Sequence, residues 1–131
     1  MKGEEMRPIF DGNTALEQRF EPRYRTKIAI FYGSGDRQLM TDYSINMSTG
    51  GIFIETSRPM PQDSTLFVRF FLPVSNTHIT CRTKVAWTNE PGNIRSKGLP
   101  TGMGLQFLDL PLEKIHSIRE FINEGGIEPE W

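Results

Sequence analysis

The segment NMSTGGIFIET, Asn46 to Thr56, carries an amide, a hydroxyl and two adjacent glycines immediately before an alternating run that is typical of a strand. Asn46 and Ser48 lie two positions apart, so in an extended chain both side chains would point the same way and could address one ligand edge. Gly51 would let the backbone approach a ligand, and Gly50 would permit a positive φ at the bend. The same residues would also form an Asx or Ser turn before a strand, and the segment alone leaves both interpretations open.

A cluster of arginines precedes the first predicted strand. The run EQRFEPRYRTK places Arg19, Arg23 and Arg25 within seven positions. A guanidinium offers a planar fork to phosphate oxygens or to the O6/N7 edge of guanine, and it stacks on flat bases. The cluster therefore indicates an anionic, base-containing ligand, with a plain solvated surface as the alternative.

The sequence offers little for catalysis. His78 is predicted on the outer face of a strand and His116 in a helix, while Ser48 has no base near it in sequence. The chain contains no Cys/His cluster with zinc spacing, no Gly-x-Ser-x-Gly motif and no phosphate-binding loop. We expect a protein that is not an enzyme and that uses no metal or cofactor.

Composition limits the class of protein. The chain has 131 residues and a net charge of −1, which argues against broad nucleic-acid binding because that depends on many Lys/Arg–phosphate contacts. The single cysteine, Cys81, allows no internal disulfide and suits a reducing cytosol. The N-terminal MKGEEMRPIF lacks the apolar run of a signal peptide, and no stretch approaches transmembrane length. We expect a soluble cytoplasmic protein.

The chain divides into three parts. Residues 1–18 mix charges with proline and glycine without a period, which predicts a mobile N-terminal arm; residues 19–124 form one domain, and 125–131 form a tail. Within the domain, strands are predicted from β-branched and aromatic alternation between turn residues. The predicted strands are RTKIAIFYG, RQLMTDYSIN, GIFIETS, STLFVRFFLP, HITCRTKVAWT and GMGLQFLDL.

A helix should close the chain. Asp109 and Pro111 are start signals, and the Gly125-Gly126 pair is a stop signal. The apolar stripe that should pack on the domain consists of Leu112, Ile115, Ile118 and Ile122. Six short strands with hairpin-sized links and one C-terminal helix predict a small six-stranded antiparallel β-barrel, because closure removes exposed edges.

Trp87 has two interpretations. It is in phase with Ile79 and Val85 along the fifth predicted strand, which favours a position in the core or at the barrel mouth. The strand ends of a small barrel also hold ligands, so a contact between Trp87 and a ligand base is the alternative.

Two motifs together resemble the PilZ domain, a bacterial receptor for cyclic di-GMP. The family signature is Arg-x-x-x-Arg followed by Asp/Asn-x-Ser-x-x-Gly at the start of the third strand, and RFEPR and NMSTGG match every fixed position of both halves. KVAWT, GMGLQF and the closing helix are also similar to the family, so the resemblance covers roughly residues 18–123. It implies the same barrel with one helix.

The resemblance also implies the ligand and its contacts. Arg19, Arg23, Asn46, Ser48 and Gly51 would bind cyclic di-GMP, with secondary contacts from Arg25, Gly50 and Trp87. Binding would change the conformation of the protein, which would then act on an unidentified partner protein as a monomer or homodimer. Asn46 stands where the motif also allows Asp, and a neutral amide makes weaker bonds to guanine N–H groups than a carboxylate does. The rival expectation is a ligand-independent adaptor of PilZ-like fold, and the intact RFEPR weighs against it.

Overall fold

The computed structural model describes residues 23–35, 39–73, 76–124 and 129–130. The predicted arm of residues 1–18, Arg19 and most of the predicted tail lie outside these described residues. Among the residues that are described, no helix is long and apolar enough to cross a membrane.

Eight strands and one helix make up the described chain. They are β1 Arg23–Arg25, β2 Ala29–Gly33, β3 Met40–Met47, β4 Gly51–Glu55, β5 Thr65–Leu72, β6 Thr77–Asn89, β7 Gly102–Phe107, α1 Leu112–Glu124 and β8 Pro129–Glu130. All strand pairs are antiparallel.

Six of the strands close into a barrel. The sheet runs in the order β2-β5-β6-β7-β4-β3, and β3 pairs back onto β2, while β1 and β8 continue the sheet from the far end of β3. The predicted six-stranded antiparallel barrel with one C-terminal helix is therefore confirmed. Closure pairs the strand edges that an open sheet would leave exposed.

The first predicted strand is divided in two. Residues 26–28 leave the ladder between β1 and β2, and the side chain of Ser44 bonds to this kink: Ser44 Oγ accepts from the Ile28 amide at 3.0 Å and lies 2.6 Å from Thr26 Oγ1. The register of β3 against β4 shifts at the same place, between Ser44 and Asn46. A bulge of this kind bends a strand and re-aims its side chains.

The barrel interior follows strand alternation. In β5, Leu66, Val68, Phe70 and Leu72 are buried and the residues between them are exposed, as the sequence predicts. These four side chains join Ile52 and Ile54 of β4 and the buried face of β6 in one apolar cluster. Burying apolar surface at about 25 cal/mol per Å² is the main stabilising term for such a core.

The helix packs through a different stripe from the one predicted. Ile118, Phe121 and Ile122 are buried in the core cluster, whereas Leu112 is 79% exposed, so its predicted packing is wrong. At about 100° per residue, Leu112 lies about 120° around the helix from Ile118 and so faces away from the barrel. Leu110, just before the helix, packs against the core instead.

Candidate ligand-binding face

Strand register aligns five residues in one row across the outside of the barrel. Arg25 of β1 pairs with Asn46 of β3, Asn46 pairs with Phe53 of β4, and Gly104 of β7 pairs with both Phe53 and Trp87 of β6. Directly opposed residues in antiparallel strands share a face. We call Arg25, Asn46, Phe53, Gly104 and Trp87 the cross-strand row.

The row faces outward because of its position in β4. Ile52 and Ile54, on either side of Phe53, both belong to the core cluster, so alternation directs Phe53 to the opposite face. Phe53 is nevertheless only 1% exposed. The outer wall of the barrel therefore has a small packed centre of its own beside Asn46.

A second bulge changes the position expected for Trp87. The register between β6 and β7 shifts between Val85 and Trp87, and Ala86 is buried at the irregularity. The strand phase that Ile79 and Val85 share thus ends before Trp87, which is not part of the core cluster. Of the two predicted positions, the core and the barrel mouth, the core position is therefore wrong. Trp87 is half-buried in the cross-strand row instead.

Gly104 explains how Trp87 lies on the barrel wall. A Cβ at Gly104 would collide with Nε1 of the indole, so the missing side chain provides the space in which the ring rests on β7. The ring centroids of Trp87 and Phe53 are 5.1 Å apart with an interplanar angle of 31°. Such tilted, offset packing is favourable for aromatic pairs.

Asn46 lies between the aromatic pair and a cation. It is 4% exposed, whereas its neighbour in the row, Arg25, is exposed. An open groove of about 990 Å³ starts at Arg25 and passes Lys27, Tyr43 and Glu55. Lys27 Nζ lies 5.7 Å from the centroid of the Tyr43 ring. The Arg25 end of the row thus lines a groove that also contains a second cation, an aromatic ring and one carboxylate.

Ser48 lies in the turn that follows β3. It is fully buried, and its Oγ accepts a hydrogen bond from the Gly50 amide at 3.1 Å, while its own amide donates to the Gly51 carbonyl at 2.9 Å. Because β3 ends at Met47, strand alternation does not set the direction of Ser48, contrary to the expectation of one extended segment. The hydroxyl therefore bonds within the Ser turn that the sequence left as an alternative.

Gly51 is required by strand packing. A Cβ there would collide with the carbonyl oxygen of Leu105 in β7, where β4 and β7 approach closely. The Gly50 carbonyl accepts from the Phe107 amide at 2.9 Å and extends the same contact. The glycines of NMSTGG thus lie at the contact between β4 and β7, which holds the turn next to Asn46.

The two motif arginines are described unequally. Arg23 lies in β1, two residues before Arg25, and its backbone pairs with Glu130 of β8. Arg19 lies outside the described residues. The segment that carries the two arginines thus continues into β1, the strand that pairs with β3 at Asn46.

The strongly perturbed titrating groups lie elsewhere. Burial and a 2.6 Å hydrogen bond to Asp42 raise the pKa of Tyr32 to about 12. Burial, with a smaller effect of the Asp109 charge, raises the pKa of the Cys81 thiol to about 11, which makes it a poor nucleophile. In the described parts of the chain, no three His, Cys, Asp or Glu residues form a group that could hold a metal ion.

Sequence reasoning missed two residues near the row. Phe53 was treated only as part of a strand; the Gly-x-Gly spacing of GMGLQF, which leaves one face of β7 without side chains, could have indicated an aromatic packed across it. Asn89 organises the long β6–β7 loop: its Nδ2 donates to three loop carbonyls and its Oδ1 accepts from the amides of Arg95 and Ser96. No local motif signals that role.

A model of the PilZ domain matches residues 17–124. The chain belongs to the PilZ domain family. PilZ domains are a family of cyclic di-GMP receptors. The resemblance deduced from the two motifs is therefore confirmed.

Two solved structures have a similar fold. The inhibitor of motility MotI/DgrA of Bacillus subtilis superposes with a TM-score of 0.62 at 18% identity, over 79% of this chain and 51% of that chain. The PilZ domain of CeSA from a cellulose-synthesizing bacterium gives a TM-score of 0.52 at 17% identity, over 77% of this chain and 94% of that one. This PilZ domain thus spans about half the length of MotI/DgrA. No curated protein matches the sequence significantly.

Proposed function

We propose that this PilZ domain is a non-enzymatic sensor that binds cyclic di-GMP on the outer wall of the barrel and acts on a partner protein. The observation that carries the proposal is the cross-strand row: β1, which begins at Arg23 of the arginine motif, pairs with β3 at Asn46, and Asn46 pairs with Phe53 of the Phe53–Trp87 stack. Cations, an amide and an aromatic pair are the groups needed for phosphates, a guanine edge and a base face.

Each motif residue has a role in this proposal. Arg19 and Arg23 grip the phosphates and stack on guanine, while the amide oxygen of Asn46 accepts from the guanine N–H groups. Ser48 and Gly51 hold the turn that fixes Asn46, and the Ser48 hydroxyl adds a polar contact. Secondary contacts come from Arg25, Gly50 and the edge of Trp87.

Calorimetric titration with cyclic di-GMP tests the proposal, with GTP and cyclic GMP as ligand controls. We expect saturable binding of cyclic di-GMP alone. Asn46→Ala should weaken it at least about tenfold, which corresponds to about 1.4 kcal/mol. The matched control is Asn93→Ala, an exposed loop asparagine. Absence of binding, or equal binding of GTP, contradicts the proposal.

A ligand-independent adaptor is the second candidate. It is favoured by the observations that the Ser48 hydroxyl bonds within its turn and that the close approach of β7 accounts for Gly51. An adaptor of this kind would bind its partner equally well with and without cyclic di-GMP, so partner affinity measured in both states separates the two candidates.

The remaining parts of the proposal concern the setting. The sensor works in the bacterial cytoplasm as a monomer or homodimer, without a cofactor, nucleic acid or membrane insertion. It does not hydrolyse cyclic di-GMP, because no nucleophile–base pair is expected beside the motifs. Turnover that is abolished by Ser48→Ala or His116→Ala would show the opposite.

A further inference from the structure

A second aromatic region lies on another part of the barrel wall, across β2, β5 and β6. Phe31 pairs with Arg69, Arg69 pairs with Thr80, and Phe71 pairs with His78. Phe31, Phe67 and Phe71 are 39%, 46% and 38% exposed. We call Phe31, Phe67, Arg69 and Phe71 the aromatic patch.

The patch contains a groove. Gly35 and Thr80 line it together with residues of the patch, and a Cβ at Gly35 would meet nothing within 4 Å. The groove has a volume of about 310 Å³, and Phe31, Leu39 and Phe67 form its apolar walls. Grouped exposed rings of this kind mark interaction sites, whereas isolated apolar residues do not.

One guanidinium lies within these rings. Arg69 lies 5.8 Å from the centroid of Phe31, and within residues 23–35, 39–73, 76–124 and 129–130 it forms no ion pair. The nearby Arg82 is neutralised by Asp109, whose carboxylate accepts from Arg82 Nε at 2.6 Å. Among the described residues, the patch therefore presents one positive charge without an ion-pair partner, in largely apolar surroundings. Arginine and aromatic residues are the types that dominate binding energy in protein interfaces.

Backbone pairing restricts how a partner can bind here. The wall is closed, with β5 hydrogen-bonded to β2 on one side and to β6 on the other. An incoming segment has no free strand edge at β5 and must be recognised through side chains. Rings on either side of a guanidinium suit a segment in which apolar side chains flank one carboxylate.

We infer that the aromatic patch is a docking surface for a segment of a partner protein that carries an Asp or Glu between apolar or aromatic side chains. A second copy fits less well, because a two-fold interface would place Arg69 opposite the same patch, with its like charge. Single-stranded nucleic acid also fits less well, because it needs several cations along its backbone and the patch supplies one.

The docking surface does not depend on cyclic di-GMP, but its use as the output of the sensor rests on the proposed function. Both regions draw on β6: His78 and Thr80 adjoin the patch, and Trp87 belongs to the cross-strand row. Asn46→Ala is directed at ligand binding and Arg69→Glu at docking, and measuring both activities of each folded variant distinguishes failure of one proposal from failure of the other.

Selection of a displayed random peptide library against the folded full chain tests the inference. We expect the enriched peptides to carry Asp or Glu beside aromatic or aliphatic residues. A synthetic copy of an enriched peptide should bind at least tenfold more weakly to Arg69→Glu and to Phe67→Ser. The Asp/Glu→Asn/Gln version of the peptide should lose affinity for the unchanged protein to a similar degree.

Matched controls come from the exposed β6–β7 loop. Arg95→Glu and Ile94→Ser repeat the two chemical changes on exposed residues outside the patch and should leave peptide affinity unchanged. A thermal melt shows whether Phe67→Ser is folded. If it is not, the comparison of Arg69→Glu with Arg95→Glu still decides the test.

Three outcomes overturn the inference. The first is that no peptide is enriched, or that the enriched peptides bind Arg69→Glu as well as the unchanged protein. The second is binding of a 15-nucleotide oligothymidine that Arg69→Glu abolishes, which would indicate a nucleic-acid platform. The third is dimerisation in sedimentation that Phe67→Ser abolishes, which would assign the patch to a second copy.

Discussion

The cross-strand row and the aromatic patch both place an aromatic ring opposite a glycine, but the ring is buried in the row and exposed in the patch. In each, a glycine lies opposite an aromatic ring: Gly104 opposite Phe53, and Gly33 opposite Phe67. In the row, a bulge turns Trp87 onto the glycine and Phe53 is buried; in the patch, the pairing of β2 with β5 has no register shift and Phe67 is 46% exposed. A register shift in β6 thus accompanies the buried outer aromatic of the row, whereas the pairings of β5 beside the exposed Phe67 contain no such shift.

Truncating one ring in each region should give the largest contrast. Phe53→Ala removes a fully buried side chain and should lower the free energy of unfolding by about 3–5 kcal/mol. Phe67→Ala removes a ring that is nearly half exposed and should lower it by about 1 kcal/mol or less. Urea denaturation of both variants measures this, and equal losses would mean that the outer stack is not a packed centre.

Adding one methyl group next to each region extends the same comparison. Gly51→Ala places a Cβ against the Leu105 carbonyl and should cost about 1–3 kcal/mol of stability. A Cβ at Gly35, beside the patch groove, meets nothing within 4 Å, so Gly35→Ala should change stability by about 0.5 kcal/mol or less. A neutral Gly51→Ala variant in thermal melts would show that β4 and β7 can separate, and would return Gly51 to a role in ligand approach.

Arginine substitutions distinguish the ligand of the row from that of the patch, because the motif arginines precede or begin β1 and Arg69 belongs to the patch. Arg23→Ala or Arg19→Ala should weaken cyclic di-GMP binding at least about tenfold, or about 1.4 kcal/mol, because each charge-assisted contact contributes about 1.5–3 kcal/mol. Arg69→Ala should leave the affinity unchanged, and all three variants should keep the fold. Calorimetry measures these affinities. If Arg69→Ala lost as much affinity for cyclic di-GMP as Arg23→Ala, the assignment of the ligand to the cross-strand row would be contradicted.

The smallest signal expected is a change in backbone order. If Arg19 and Arg23 grip a ligand held at the row, the amides next to these arginines within residues 1–23 should gain protection from hydrogen exchange when cyclic di-GMP binds, because contacts of about 1.5–3 kcal/mol each can offset the cost of about 1–2 kcal/mol for ordering each of a few backbone residues. The amides of β5 under the aromatic patch serve as the internal reference and should not change. Equal exchange of residues 1–23 in both states, with ligand demonstrably bound, would mean that this segment is not the switch.

The fold was accessible from the sequence because its signals are local. Alternation in β5 and β6, the turn residues and the start and stop signals of the helix each act within a few residues. Leu112 was misplaced because four apolar residues at helical spacing do not reveal which edge of the stripe meets the barrel. The division between β1 and β2 depends on Ser44, which is 16 positions from Ile28 in sequence.

The site was predictable as a pair of motifs but not as a surface. The motifs identify Asn46, Ser48 and Gly51 as ligand contacts, but the structure also gives two of them structural roles. Ser48 bonds within its turn, and Gly51 leaves space for the Leu105 carbonyl. The row depends on two register shifts, and alternation counted along one strand cannot reveal a shift relative to its neighbour. Phe53 and Trp87 were therefore not paired in advance.

The most direct test of the central claim is an amide and indole chemical-shift map with cyclic di-GMP. The largest shifts should occur at Arg25, Asn46, Ser48 and Phe53 and at the indole N–H of Trp87. The amides of Phe31, Phe67, Arg69 and Phe71 should remain in place. Shifts confined to the aromatic patch, or an unchanged spectrum at saturating ligand, would contradict the assignment of the cross-strand row as the cyclic di-GMP site.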